Sequence, residues 1–177
     1  MLFTGKGDTG TTKTFGCNQQ RISKSSLVPE ALGALDELNA FLGFVKMRSI
    51  EESRISSGLR DVQETLFIIQ AQVAGAEKKI REDAVKQVEE LINTIEKEIS
   101  PIKGFSIAGG TELSALLDVA RTIARRTERR LIAAVEAEAC SPTSETMAYM
   151  NRLSSLLFAY ARLANHLKGF AEENPKY

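Results

Sequence analysis

The stretch TGKGDTGTTK, Thr4 to Lys13, gathers three glycines, four threonines, two lysines and an aspartate near the start of the chain. Glycines allow backbone N–H groups to converge on an anion, threonine hydroxyls donate, and Lys6 and Lys13 add charge. Gly5, Gly7 and Gly10 even spell G-x-G-x-x-G. A dinucleotide fingerprint, however, needs a preceding strand, a following helix and an acidic residue about 20 positions on. Only four residues precede Gly5, and Gly10 is followed by Thr11-Thr12, which also rules out the Walker Lys-Ser/Thr ending. Phosphate binding by a glycine-threonine loop remains, with a loose terminus as the alternative.

A second chemical stretch is DVARTIARRTERR, Asp118 to Arg130, in which every basic residue is arginine. The guanidinium fork binds phosphate and carboxylate in bidentate fashion, so this choice favours anion recognition over a merely solvated face. On a helix at about 100° per residue, Leu113, Leu116, Leu117, Ala120, Ala124, Leu131, Ala134 and Val135 share the core stripe. Arg121, Arg125 and Arg129 form an i, i+4, i+8 row beside it, with Asp118 and Glu128 in the same sector. Arg126 and Arg130 fall on the far side. Arg121 should be partly enclosed, between helices or between subunits. The alternative is an exposed charged face with pairs such as Asp118–Arg121 and Arg125–Glu128. Asp36, set among leucines, fits a partly buried arginine. Asn151, in an otherwise apolar run, must be satisfied either in the core or by a ligand.

These groups need helices to position them. PEALGALDELNAFLGFVKMR opens with Pro29 and repeats apolar residues at three- and four-residue steps, as do runs from about Ser53 to Ala76 and Arg81 to Ile99. The third run is the most charged and should lie outermost. The breaker-rich SPIKGFSIAGG, Ser100 to Gly110, precedes a long helix capped by Thr111 and ending near Glu138. The last helix is expected to start with Ser141 as cap and Pro142 in its first turn, and to stop at Gly169. No segment alternates with period two. The expectation is an all-α, antiparallel five-helix bundle, one domain over 1–177, with residues 1–28 as a phosphate loop and 29–170 as helices.

Composition narrows the partners. Lys plus Arg equals Asp plus Glu at 23 each, so a general nucleic-acid or anionic-membrane binder is not expected. No run of about 18 apolar residues could span a membrane. Cys17 and Cys140 form no C-x-x-C and read as free thiols of a reducing cytoplasm.

Taken together, these stretches resemble the PduO-type ATP:cob(I)alamin adenosyltransferases. The family's T-x-x-G-D-x-G-x-T/S is matched by TGKGDTGTT, and its E-A/V-x-G-x-x-D-E-L-N/S by EALGALDELN. Its F-x-x-P-G-G loop is matched by FSIAGG, its A-R-x-x-x-R-R-x-E-R by ARTIARRTER, and its N-x-L-S by NRLS. The resemblance runs in order from residue 4 to about 162. Two departures stand out: Ala108 replaces the loop proline, and the segment from Gly10 to Lys24 is slightly longer.

The resemblance implies a five-helix bundle assembled as a homotrimer with ATP sites between subunits. ATP, Mg²⁺ and cobalamin are the implied ligands. The implied reaction moves the 5′-deoxyadenosyl group of ATP to cob(I)alamin and releases triphosphate. By motif, Thr4, Gly5, Lys6, Gly7, Asp8, Thr12, Lys13 and Lys24 would wrap the triphosphate. Arg125, Arg126, Glu128 and Arg129 would line the nucleotide site from the neighbouring subunit, and Asn151 would bind nucleotide. Arg121 and Asp36 would pair across the interface, and Phe105 would displace cobalamin's lower ligand. An upstream reductase and an adenosylcobalamin-dependent enzyme are the implied partners. Cobalt(I) is itself the nucleophile, so no catalytic triad or dyad is needed. The lone histidine, His166, then reads as a helix-end cation. A ferritin-like metal bundle would need Glu-x-x-His pairs, yet Leu163 stands three residues before His166. A non-catalytic nucleotide-binding bundle is the other alternative.

Overall fold

The computed structural model describes residues 2–16, 20–102 and 104–176. Five helices follow one another: α1 (Leu27–Arg48), α2 (Ser53–Val73), α3 (Ala84–Glu98), α4 (Glu112–Glu136) and α5 (Ser144–Leu167). Each buries the stripe its periodicity dictates. Leu35, Leu38 and Leu42 of α1, Leu59, Leu66 and Ile69 of α2, and Leu117, Ala124 and Leu131 of α4 are fully enclosed. A fully buried side chain of this size contributes about 1.5–3 kcal/mol, so the stripes rather than helix propensity hold the bundle. The charged α3 packs on α5, where Val88 and Ile95 turn inward.

Cross-helix bonds fix the directions. Arg126 meets Glu37 and Arg130 meets Glu30, while Arg48 pairs with Glu112, so α1 and α4 run antiparallel. Asn151 bonds Glu128 near one end of the α4–α5 pair, and Asn165 bonds Thr111 near the other. Chain order therefore alternates up and down through the bundle. Gly169 carries φ +67° just past α5 and ends it, as expected.

Two sequence expectations need correction. Thr143, not Ser141, caps α5: its Oγ1 accepts from Thr146 N at 3.4 Å, and Pro142 lies outside the helix. Arg126 and Arg130 face α1 rather than the far side, because α1 lies against that flank of α4. The described residues also include two short strands, β1 (Thr11–Thr12) and β2 (Ile22–Ser23), paired antiparallel. Strands of two residues are too short to show an alternating pattern.

Candidate active site

The N-terminal loop is built by its own polar groups. Gly5 and Gly10 adopt φ +68° and +77°, and turns close through Asp8 N to Gly5 O and Gly10 N to Gly7 O. The β1–β2 pair then brings Lys24 back over the loop, with Lys24 N donating to Gly10 O at 2.9 Å. A Cβ placed on Gly7 would come within 3.0 Å of Lys24 Nζ, so the ammonium sits directly against the glycine turn. Arg21, which the sequence reading passed over, locks the hairpin by donating to Thr11 Oγ1 (2.7 Å) and Thr11 O (2.6 Å). Thr4 Oγ1 accepts from Lys6 N, Thr12 lies in β1, and Lys13 is exposed. Among the described residues, the hydrogen bonds of residues 4–13 stay within residues 4–24. The ammonium groups of Lys6, Lys13 and Lys24 have no partner among the described residues.

The Ser100–Gly110 loop differs. Together with α4 and α5 it encloses a cleft of about 570 Å³ lined by Phe105, Ser106, Arg121, Arg125, Ser155 and Phe158. Phe105 is 79% exposed and Ile107 is 56% exposed, an unusual outlay of apolar surface beside two arginines. Arg121 is partly enclosed as expected: its guanidinium lies 5.7 Å from the Phe158 ring centre, and its Nε faces Asp118 Oδ1 at 3.4 Å. Arg125 is exposed and, among the described residues, has no carboxylate partner. Arg129 donates to Arg125 O at 3.2 Å.

The loop is tied at several points. Gly109 N donates to Asp118 Oδ2 at 3.0 Å, and Gly109 O accepts from Ser114 Oγ (3.0 Å) and Asn165 Nδ2 (2.9 Å). Residues beyond α5 return over it: Asn174 Nδ2 donates to Phe105 O at 2.7 Å, and Ile107 N donates to Glu173 O at 2.8 Å. Buried Arg162 holds both partners, meeting Glu172 through Nε at 3.0 Å and Ser100 O at 2.7 Å.

The other expected site residues divide clearly. Glu128 accepts from Asn151 Nδ2 at 2.9 Å, so these two do meet, on the α4–α5 surface. Arg126 is held by Glu37 at 2.6 Å. Asp36 is exposed on α1 and does not reach Arg121, whose carboxylate partner within the chain is Asp118. Cys140 is a half-buried free thiol with its pKa raised by burial; Cys17 lies outside the described residues. Phe158 and Ser155 were missed, since on α5 they read as ordinary members of an apolar helix.

An arginine row thus lies beside an open apolar cleft on an antiparallel helical bundle that carries a glycine- and threonine-rich N-terminal loop. The family model for cobalamin adenosyltransferase matches residues 2–164, and the chain belongs to that family. It is 37% identical over 169 residues to a corrinoid adenosyltransferase of Citrobacter freundii, covering 92% of this chain and 93% of that protein. A corrinoid adenosyltransferase of Bacillus subtilis (strain 168) is 33% identical over 182 residues, covering 97% and 90%. Among solved structures, a variant of the PduO-type ATP:corrinoid adenosyltransferase of Lactobacillus reuteri, complexed with cobalamin and ATP, superimposes with a TM-score of 0.92. That match has 29% identity and covers 99% of this chain and 97% of the other.

Proposed function

We propose that the protein transfers the 5′-deoxyadenosyl group of ATP to cob(I)alamin, yielding adenosylcobalamin and triphosphate. Cobalt(I) supplies the electron pair to C5′. The C5′–O bond breaks, its electrons leave with the triphosphate, and a Co–C bond forms. Beyond family membership, the observation that carries this reading is the cleft in which Arg121 and Arg125 face the exposed ring of Phe105.

Lys6, Lys13 and Lys24, the backbone of Gly5 and Gly7, and the hydroxyls of Thr4 and Thr12 take the triphosphate, with Asp8 shaping the turn. Charge develops on the leaving oxygen, where cationic and N–H donors aimed in advance lower the barrier most. Arg125, Arg126, Glu128, Arg129 and Asn151 orient the nucleotide, while Phe105 walls off the lower face of the corrin and excludes water. Mg²⁺ would accompany the triphosphate as its counter-ion, bound through phosphate oxygens.

The loop and the cleft occupy opposite ends of the bundle. Gly16 N bonds Ala74 O near the end of α2, whereas Phe105 lies by the start of α4. A helix of 25 residues such as α4 is about 38 Å long, which sets the Phe105 end of the cleft well apart from the loop of the same chain. A homotrimer with sites between subunits answers this, and Asp36 of one copy would then reach Arg121 of the next. A cytoplasmic single-domain enzyme, served by a reductase upstream and an adenosylcobalamin-dependent enzyme downstream, completes the reading. No described helix is long and apolar enough to cross a membrane.

The test mixes the protein with ATP, Mg²⁺ and chemically reduced cobalamin under anaerobic conditions. The adenosylcobalamin absorption spectrum should appear in proportion to enzyme. ATP binding without that spectral change would leave only a nucleotide-binding bundle.

A further inference from the structure

Asp118 has no part in the reading above, yet it touches both halves of the cleft. Its side chain is only 12% exposed, and its two oxygens serve different masters. One, Oδ2, accepts the N–H of Gly109, four residues after Phe105. The other, Oδ1, faces Nε of Arg121. The geometry points to Asp118 as a positioning residue that sets the Phe105 loop and the Arg121 guanidinium in register with each other. The inference rests on the proposed role of Phe105 as the wall beneath the corrin.

Three physical points support it. Gly109 and Gly110 both hold φ +110°, a region that side-chain-bearing residues rarely enter, so the chain spends conformational freedom to aim the Gly109 N–H at this carboxylate. Hydrogen bonds to a charged acceptor are roughly twice as strong as neutral ones, so this bond outweighs a neutral tie such as that from Ile107. The choice of Nε also matters. With Asp118 on that side of the fork, the terminal nitrogens of Arg121 make no bond among the described residues and remain presented to a ligand or to a second subunit. One carboxylate thus anchors the apolar wall and aims the cation.

Asp118→Ala and Asp118→Asn separate the two duties, because asparagine keeps an acceptor for the Gly109 N–H but loses the charge facing Arg121. Amide hydrogen exchange at Gly109 reads the tether without cobalamin. Exchange should quicken about tenfold or more in Asp118→Ala and by less than about threefold in Asp118→Asn, on the scale of losing versus weakening one charge-assisted bond. With cob(II)alamin and ATP, Asp118→Ala should lose most of the absorbance of the four-coordinate cobalt species, while KM for ATP moves by only a few-fold. In Asp118→Asn the four-coordinate signal should largely return. Unchanged Gly109 exchange in folded Asp118→Ala overturns the proposal whatever the cobalamin data show. Equal losses in both variants of four-coordinate signal and ATP affinity overturn it too, by assigning Asp118 to the nucleotide alone. A parent enzyme without any four-coordinate signal would instead sink the Phe105 reading, and the exchange data would then decide the tether separately.

Discussion

Two glycine-rich loops flank this bundle, and they are made in opposite ways. Residues 4–13 bond to one another and to their hairpin, leaving the ammonium groups of Lys6, Lys13 and Lys24 without partners among the described residues. The Ser100–Gly110 loop is fastened from α4, α5 and the residues beyond α5, leaving an aromatic ring in the open. The first holds unspent charge that a triphosphate can gather; the second holds an apolar surface already fixed in place. The contrast suits the chemistry, since a polyanion supplies its own ordering energy when it binds, whereas a wall against water must stand before the substrate arrives.

Several substitutions would sharpen or break this contrast. Phe105→Ala carries the largest expected effect: turnover with cob(II)alamin plus reductant should fall by about a hundredfold, the scale on which a misplaced reacting group slows an enzyme. Its KM for ATP should stay near that of the parent, and equal losses in both would end the wall interpretation. Arg125→Ala should act on the other axis, raising KM for ATP by roughly ten- to a hundredfold, since a contact to a charged group is worth about 1.5–3 kcal/mol. A negligible change in steady-state KM would return Arg125 to the solvent.

Stability comes next. At Gly110 a Cβ would approach Asn165 Oδ1 within 2.5 Å, at φ +110°. Gly110→Ala should therefore cost about 2–3 kcal/mol, a fall in Tm of roughly 4–12 °C for a chain of this size. Gly10→Ala has the same kind of strain (φ +77°) but nothing within 4 Å, so its cost should stay near 1 kcal/mol. Equal melting shifts would contradict the difference in packing. The smallest effect belongs to Arg54–Glu98, a two-pronged pair at 2.8 and 3.0 Å. Its hydrogen bonds lower the pKa of Glu98, so its stabilisation is present above the ordinary carboxylate range and is lost as pH falls through the lowered value. Both side chains are substantially exposed, so Glu98→Gln should cost about 0.2–1 kcal/mol at pH 7 and progressively less in acid. Melting curves at both pH values check it.

The helices were legible because each must hide one stripe, and a period of 3.6 is plain over twenty residues. The arginine row was legible for the same reason, since Arg121 and Arg125 fall beside that stripe. What could not be read were contacts made by reach. Arg21 spans back to a threonine carbonyl, and Arg162 gathers Ser100 and Glu172 from two segments; neither leaves a periodic trace. Nor did anything in FAEEN, Phe170 to Asn174, announce that it returns over the loop. The cap of α5 was misplaced by two residues because Ser141 and Thr143 are equally suited by type, and only geometry separates them.

The return of residues 170–174 over Phe105 has a practical side. It lays a short polar strap across the backbone that carries the exposed ring, so substitutions in FAEEN should disturb the cleft although these residues do not line its Phe105 face.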